Sequence, residues 1–200
     1  MIRLTDLDEE HLKEISHAFA ESFLSQPGSL SMTANMYEAE IYFDICLKEY
    51  ARAGVLYALS EKEEGYIVFH RKNKGIRWYR DLYMTWQYMM RLTPSTMQRM
   101  ILARNGWQSY EVTHANDPDY VDVELVCVRK EYQGQGLLRK LLKEPFAQAD
   151  AAGIPCILDT DAEHKAMRYE HVGMRIERHA VLTSGLHLYT MIYGGRKNES

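Results

Sequence analysis

No apolar run in the 200-residue chain approaches the roughly 20 residues that cross a bilayer. A membrane role is therefore not expected. The basic n-region and apolar h-region of a secretory leader are missing as well. Cysteine is scarce. Cys46, Cys127 and Cys156 are the only three, and no metal-binding spacing relates them. Two lie in apolar, strand-like runs, and all three read as reduced, buried thiols of a cytoplasmic protein. Positive charge is not in excess: the formal net charge is −4, which disfavours general nucleic-acid binding. The eight histidines are scattered. His164 and His171 fall about two helical turns apart, but no cysteine or carboxylate pattern joins them, so no metal is expected. Neither G-x-x-x-x-G-K-[ST] nor G-x-G-x-x-G occurs, which removes the usual mononucleotide and dinucleotide fingerprints.

What is present suits an ordinary globular domain. Apolar residues make up 46% and charged residues 26%, in the usual range. Residues 1–195 are expected to form one domain with a helical insertion at about 74–110, and residues 196–200 a disordered tail. Residues 1–7 read as a short strand, with Asp6 or Asp8 capping a helix to about Leu24. Residues 25–31 read as a loop, and a helix over 34–53 ends at Gly54. Two strands, 55–59 and 65–69, form a hairpin. Residues 76–90 are crowded with Trp78, Tyr79, Tyr83, Met84, Trp86, Tyr88, Met89 and Met90. Such spacing is more often core than ligand wall. Pro94 should break this pattern before a further short helix over 95–103. Residues 114–119 read as a turn.

The organising stretch is VDVELVCVRKEYQGQG, residues 121–136. Val123, Leu125, Cys127 and Val128 give a strand, and Asp122 and Glu124 alternate with its apolar residues at period two. Gln133, Gly134, Gln135 and Gly136 follow, and Leu137, Leu138, Leu141 and Leu142 then mark a helix. Glycines at a strand-to-helix junction let main-chain N–H groups converge on an anion, which the helix dipole favours. The local expectation is a phosphate or pyrophosphate site at 133–138, rimmed by Arg129, Lys130, Arg139, Lys140 and Lys143. Pro145 should kink the helix, Gly153 stop it, and PCILD begin a buried strand. A short helix over 163–171 and a final strand pair complete an α/β or α+β pattern with a mixed sheet.

The order VCVRKEYQGQG–LLRKLL, AGIPCILDT, RYEHVGM and a closing apolar hairpin resembles the GNAT superfamily of acyl-CoA-dependent N-acetyltransferases. The run KLLKEPFAQADAAGIPCILDT is similar to its small-molecule, puromycin-type branch. The close match spans about 120–193. Leu138 departs from the family's Gly or Ala, and Ala162 stands where an Asn commonly meets the pantetheine arm. The resemblance implies a mostly antiparallel central sheet flanked by helices, with a splay between two central parallel strands. It implies acetyl-CoA as co-substrate without a metal, its arm on the main chain of Val126, Cys127 and Val128. The pyrophosphate would lie on Gln133, Gly134, Gln135, Gly136, Leu137 and Leu138, and Arg139 near the ribose phosphate.

The implied chemistry is direct attack of a neutral amine on the thioester carbonyl. It needs a proton acceptor, an oxyanion donor and an acid for the departing thiolate. Glu124 and Asp122 are the candidate bases, Glu124 preferred as nearer the splay. The N–H of Val126 or a neighbour is the candidate oxyanion donor. Tyr169, in YEHVGM, is the candidate acid. The expected function is acetyl transfer to a primary amine of a small molecule, and a homodimer stays open. The alternative is a non-catalytic acyl-CoA-binding sensor or partner module on the same fold.

Overall fold

A computed structural model describes residues 1–72, 74–108, 110 and 119–194. The expected disordered tail, and the expected turn before Asp119, lie outside the described residues. The centre is a seven-stranded sheet in the order β1-β2-β3-β4-β5-β7-β6. Its strands are β1 (Ile2–Arg3), β2 (Leu56–Ala58), β3 (Gly65–Arg71), β4 (Val121–Val128), β5 (Cys156–Thr160), β6 (Arg175–Val181) and β7 (His187–Tyr193). Neighbours are antiparallel except β4 and β5, which are parallel.

One face of the sheet carries α1 (Glu9–Leu24), α2 (Ser29–Thr33) and α3 (Met36–Ala53). Ile15 and Phe19 of α1 and Phe43 and Leu47 of α3 close over Leu56, Tyr66 and Val68. The other face carries α6 (Leu137–Ala152), whose Leu141 and Leu142 pack on Ile67, Phe69, Val121 and Val123. Full burial of each such side chain stabilises by about 1.5–3 kcal/mol. β3 is covered on both faces, which is why it reads as an unbroken apolar run. The caps are local. The Asp8 carboxylate accepts from the His11 N–H at 2.8 Å, Asn35 and Glu38 form a capping box on α3, and Gly54 ends α3 at φ +71°.

Several expectations need correction. The first strand is two residues long. The expected loop at 25–31 contains the start of α2. As expected, the helical pattern is interrupted just before Pro94, which opens the next helix because its missing N–H is no loss in a first turn. Residues 78–103 form α4 (Trp78–Arg91) and α5 (Pro94–Ala103). Pro145 lies inside α6, which continues to Ala152 and stops at Gly153 as expected. The aromatic and Met crowding at 76–90 is not core: α4 has no buried residue. Met84 and Tyr88 are partly buried against Ile41, Ile45 and Leu92, while Trp78, Leu82, Trp86 and Met89 are exposed. Periodicity identifies an apolar face but not what covers it. The three cysteines are free and buried, and burial pushes the Cys46 and Cys127 thiols up to about 12. Among the described residues, no helix is long and apolar enough to cross a membrane. α7 (Glu163–His171) lies between β5 and β6.

Candidate functional site

β4 and β5 pair only at Val121↔Cys156 and Asp122↔Ile157. Beyond Asp122 they part, and a cavity of about 800 Å³ opens at the parting. Its floor includes Glu124, Leu125, Val126 and Val128 of β4 and Leu158, Asp159 and Thr160 of β5. Past Asp122, the β4 main chain has no strand partner on the β5 side. Such an edge accepts an extended, amide-bearing ligand as an added strand would.

The glycine turn forms one end of the cavity. Gly134 and Gly136 take φ of +78° and +72°, and a Cβ on either would have no atom within 4 Å. Glycine is needed there for the left-handed backbone and not for lack of space. Gly136 is the N-cap of α6, and no side chain caps that helix. First-turn N–H groups are therefore left to an anion. The basic rim is largely engaged elsewhere. Lys130 donates to Glu21 at 2.8 Å, Arg129 lies 3.3 Å from Glu131, and Arg139 donates to the His171 carbonyl at 2.9 Å. Gln133 donates to the Val128 carbonyl at 3.2 Å and so braces the turn.

Of the residues expected to hold a cofactor, Val126, Val128, Gln133, Gly134, Gly136, Leu137 and Leu138 line the cavity, whereas Cys127, Gln135 and Arg139 do not. The Cys127 side chain faces α1, donating to the Ala18 carbonyl at 3.5 Å. Strand alternation puts it on the face opposite Val126 and Val128.

Asp122 and Glu124 both line the cavity. The register explains why they differ. Val68 opposes Leu125 and Phe69 opposes Val123, so Glu124 is the extra residue of a β-bulge. Bulges re-aim side chains and bend the strand, and this one sits where β4 leaves β5. Asp122 is still in the paired part of β4.

His70 of β3 joins these two carboxylates, with ligand-type atoms of all three within 4.8 Å of one another. Its Nδ1 lies 3.0 Å from the Arg71 carbonyl oxygen and its Nε2 3.3 Å from Glu124 Oε1. Both ring nitrogens face acceptors, so both must carry protons. Burial works against the charge. The hydrogen bond and charge of Glu124, the Arg71 carbonyl and the charge of Asp122 outweigh it and raise His70 to about 9. Gly75 closes on the ring, since a Cβ there would stand 2.5 Å from Nε2. Sequence reasoning missed His70. Its only signal is the pairing opposite Asp122, which a sequence does not display.

Tyr169 of α7 lines the cavity from the β5 side. Burial, with the Asp161 charge adding to it, pushes its hydroxyl well above the usual phenol range, so it stays protonated at neutral pH. Asp161 was also missed. It accepts from the Ser29 N–H at 2.6 Å and from Lys165 Nζ at 2.7 Å. It thereby ties the start of α2 to α7 across the cavity. Burial opposes its ionised form, but Lys165 and Ser29 hold its carboxyl below the usual range. The cavity is also lined by Phe23, Leu30, Tyr42, Phe43, Met100 and Tyr110.

Solved structures with a similar fold include an N-acetyltransferase from Staphylococcus aureus Mu50, 14% identical over 96% of this chain and 99% of that one, with a TM-score of 0.58. Arylalkylamine N-acetyltransferase 2 from Aedes aegypti is 10% identical over 95% and 97%, with a TM-score of 0.58. A protein described as an acetyltransferase of the GNAT family from Desulfovibrio desulfuricans is 14% identical over 96% of each chain, with a TM-score of 0.52. No protein-family model matches the sequence, and no curated protein does. At these identities the likeness is one of fold.

Proposed function

Given that the chain has the GNAT acetyltransferase fold, we propose that it is an N-acetyltransferase, using acetyl-CoA to acetylate a primary amine of a small molecule. The observation that carries this reading is the parting of β4 from β5 directly beside the glycine turn. One cavity thus joins an open strand edge, an uncapped helix N-terminus and an acidic strand face. The local residues fit coenzyme A: left-handed glycines expose main-chain amides at 134–138, and nothing crowds the space before them.

When bound, acetyl-CoA would supply an activated acetyl thioester. The N–H groups of 134–138 would hold its pyrophosphate, and the free edge of β4 at 126–128 would align its amide-bearing arm. The Val126 N–H, or a neighbour's, would stabilise negative charge on the acetyl oxygen. Glu124 would draw the incoming amine and take its proton at a carboxylate oxygen. The Tyr169 hydroxyl would donate its proton to the sulfur that leaves. The His70 imidazolium would hold the Glu124 carboxylate in place through its Nε2 N–H. The wall of Phe23, Tyr42, Phe43 and Met100 suits an acceptor with a compact apolar body behind its amine. In this reading residues 1–195 are one cytoplasmic domain, and the insertion contributes Met100 and Arg104 to the acceptor side.

The test is thiol release from acetyl-CoA across a panel of small amines. Amine-dependent release is expected. Tight CoA binding without turnover on any amine would instead support a non-catalytic acyl-CoA-binding module.

A further inference from the structure

α4 is attached to the body of the protein by its polar side. Arg80 donates to the buried Glu49 at 2.8 Å, and Arg91 to Asp44 at 2.7 Å. Just past its C-terminus, Thr93 donates to the buried Glu38 at 3.0 Å. Among the described residues, Met84 and Tyr88 add the apolar contact on that side. At about 100° per residue, Trp78, Met89, Leu82, Trp86, Tyr79, Met90 and Tyr83 fall in one outward arc. Their exposure is high: 73% for Trp78, 66% for Met89, 61% for Leu82 and 54% for Trp86. The arc contains no Lys, Arg, Asp or Glu.

From side-chain areas of roughly 150–250 Å² for aromatic residues, these seven side chains offer on the order of 800 Å² to a partner. That exceeds the few hundred Å² of apolar patch usual on a monomer. It equals what each partner of a standard interface buries. Its composition, rich in Trp, Tyr and Met without charge, is that of an interface centre.

We propose that the outward face of α4 is the two-fold interface of a homodimer, α4 packing on α4 of a second copy. An isologous contact sets a surface against its own image, so charged residues there would meet their like. An uncharged arc avoids this, and of the basic residues beside it Arg80 and Arg91 are paired with Glu49 and Asp44 and Arg77 lies over the Tyr79 ring. So engaged, they are poorly placed to reach the phosphates that an anionic lipid surface would present beside the apolar stripe. Because α5 follows α4 and supplies Met100 to the cavity, with Arg104 just past its end, the interface would also hold the acceptor wall in place.

The test is sedimentation velocity of the full chain up to about 100 μM, enough to populate a dimer of micromolar affinity. Twice the monomer mass is expected, with Trp78 and Trp86 fluorescence moving to the blue as concentration rises. Leu82→Glu and Trp86→Glu, both at exposed positions, should be monomeric while keeping the wild-type circular dichroism. Val181→Glu, on the exposed edge strand β6, should remain dimeric. A wild-type monomer throughout the range overturns the proposal, whether or not it binds anionic vesicles. So does a dimer that Val181→Glu splits and both α4 variants leave intact. None of these readouts depends on acetyl transfer.

Discussion

The two ends of the cavity are built from different materials. The glycine end is main chain: two left-handed glycines, a bare helix N-terminus and an unpaired strand edge. The part proposed to take the acceptor is side chain: Phe23 of α1, Leu30 of α2, Tyr42 and Phe43 of α3, Met100 of α5, and Glu124 at a bulge. Recognition by main chain is encoded in local conformation, so it survives wide changes in side chains. Recognition by side chains depends on how distant elements pack. A fold can therefore keep one ligand end constant while the other diverges.

The sharpest way to break that contrast is Glu124. It projects from the bulge at the parting of the strands, whereas Asp122 is buried in the paired segment. Glu124→Gln keeps the shape and removes the base. A loss of kcat/KM on the order of 10³-fold is expected, within the range for general base catalysis, and the rise of the pH–rate profile should vanish. Asp122→Asn should cost clearly less. Equal losses in two folded variants would mean that the bulge does not single out one carboxylate.

Tyr169 comes next, and it stands where the two ends meet. Tyr169→Phe keeps the ring against its neighbours and deletes only the hydroxyl. With burial holding that hydroxyl protonated, its donation is expected to be worth on the order of 10²-fold in kcat. Acetyl-CoA affinity should barely change. Full activity at saturating acetyl-CoA, with chemistry shown to limit the rate, would falsify the acid role.

The glycine end yields a smaller but cleaner effect, because the molecule contains its own control. Gly136 and Gly153 bound the same helix, with φ of +72° and +65° and open space around each. Alanine carries a similar left-handed strain at both, about 1–2 kcal/mol. Only at Gly136 would the new Cβ enter the anion cradle. Gly136→Ala should raise the CoA dissociation constant about tenfold, or about 1.4 kcal/mol. Gly153→Ala should leave it unchanged. Equal CoA affinity in the two variants by calorimetric titration would remove the cradle.

This contrast also decides how much could be read from the sequence. The strand, turn and helix around 121–142 were legible because period-two and helical apolar patterns meet at two glycines within one stretch. The helices at 9–24 and 36–53 were legible from their apolar spacing, the candidate cap Asp8 and the closing Gly54, whereas α2 and the capping box of Asn35 with Glu38 were not read. Cys127 was legible as strand but not as to side, since alternation had to be anchored by the bulge at Glu124. His70 and Asp161 act through partners on other elements, Glu124 and Ser29, and no local pattern announces such pairings. The α4 stripe was visible as a stripe. Its outward direction was not, because the residues that turn it, Arg80 and Arg91, act through Glu49 and Asp44 on a separate helix.

The smallest effect tests the tie that steadies the acceptor end. His70 is raised from 6.5 to about 9, burial opposing and the Glu124 hydrogen bond, the Arg71 carbonyl and the carboxylate charges prevailing. A histidine whose folded value lies above its unfolded one binds its proton more tightly when folded. The stability it contributes is thus fully present below pH 6.5 and is lost as pH rises toward 9. The Glu124 side chain is 35% exposed, and solvent there weakens the pair, so the loss should be on the order of 1–2 kcal/mol. In His70→Gln an amide can still donate to Glu124 but carries no charge. Urea unfolding at pH 6.5 and at pH 9 should show that fall in the wild type and not in the variant. Other titrating groups are common to both proteins and cancel in the difference. Parallel behaviour would mean that Nε2 holds no extra proton, and would leave Glu124 without a charged hydrogen-bond donor from His70.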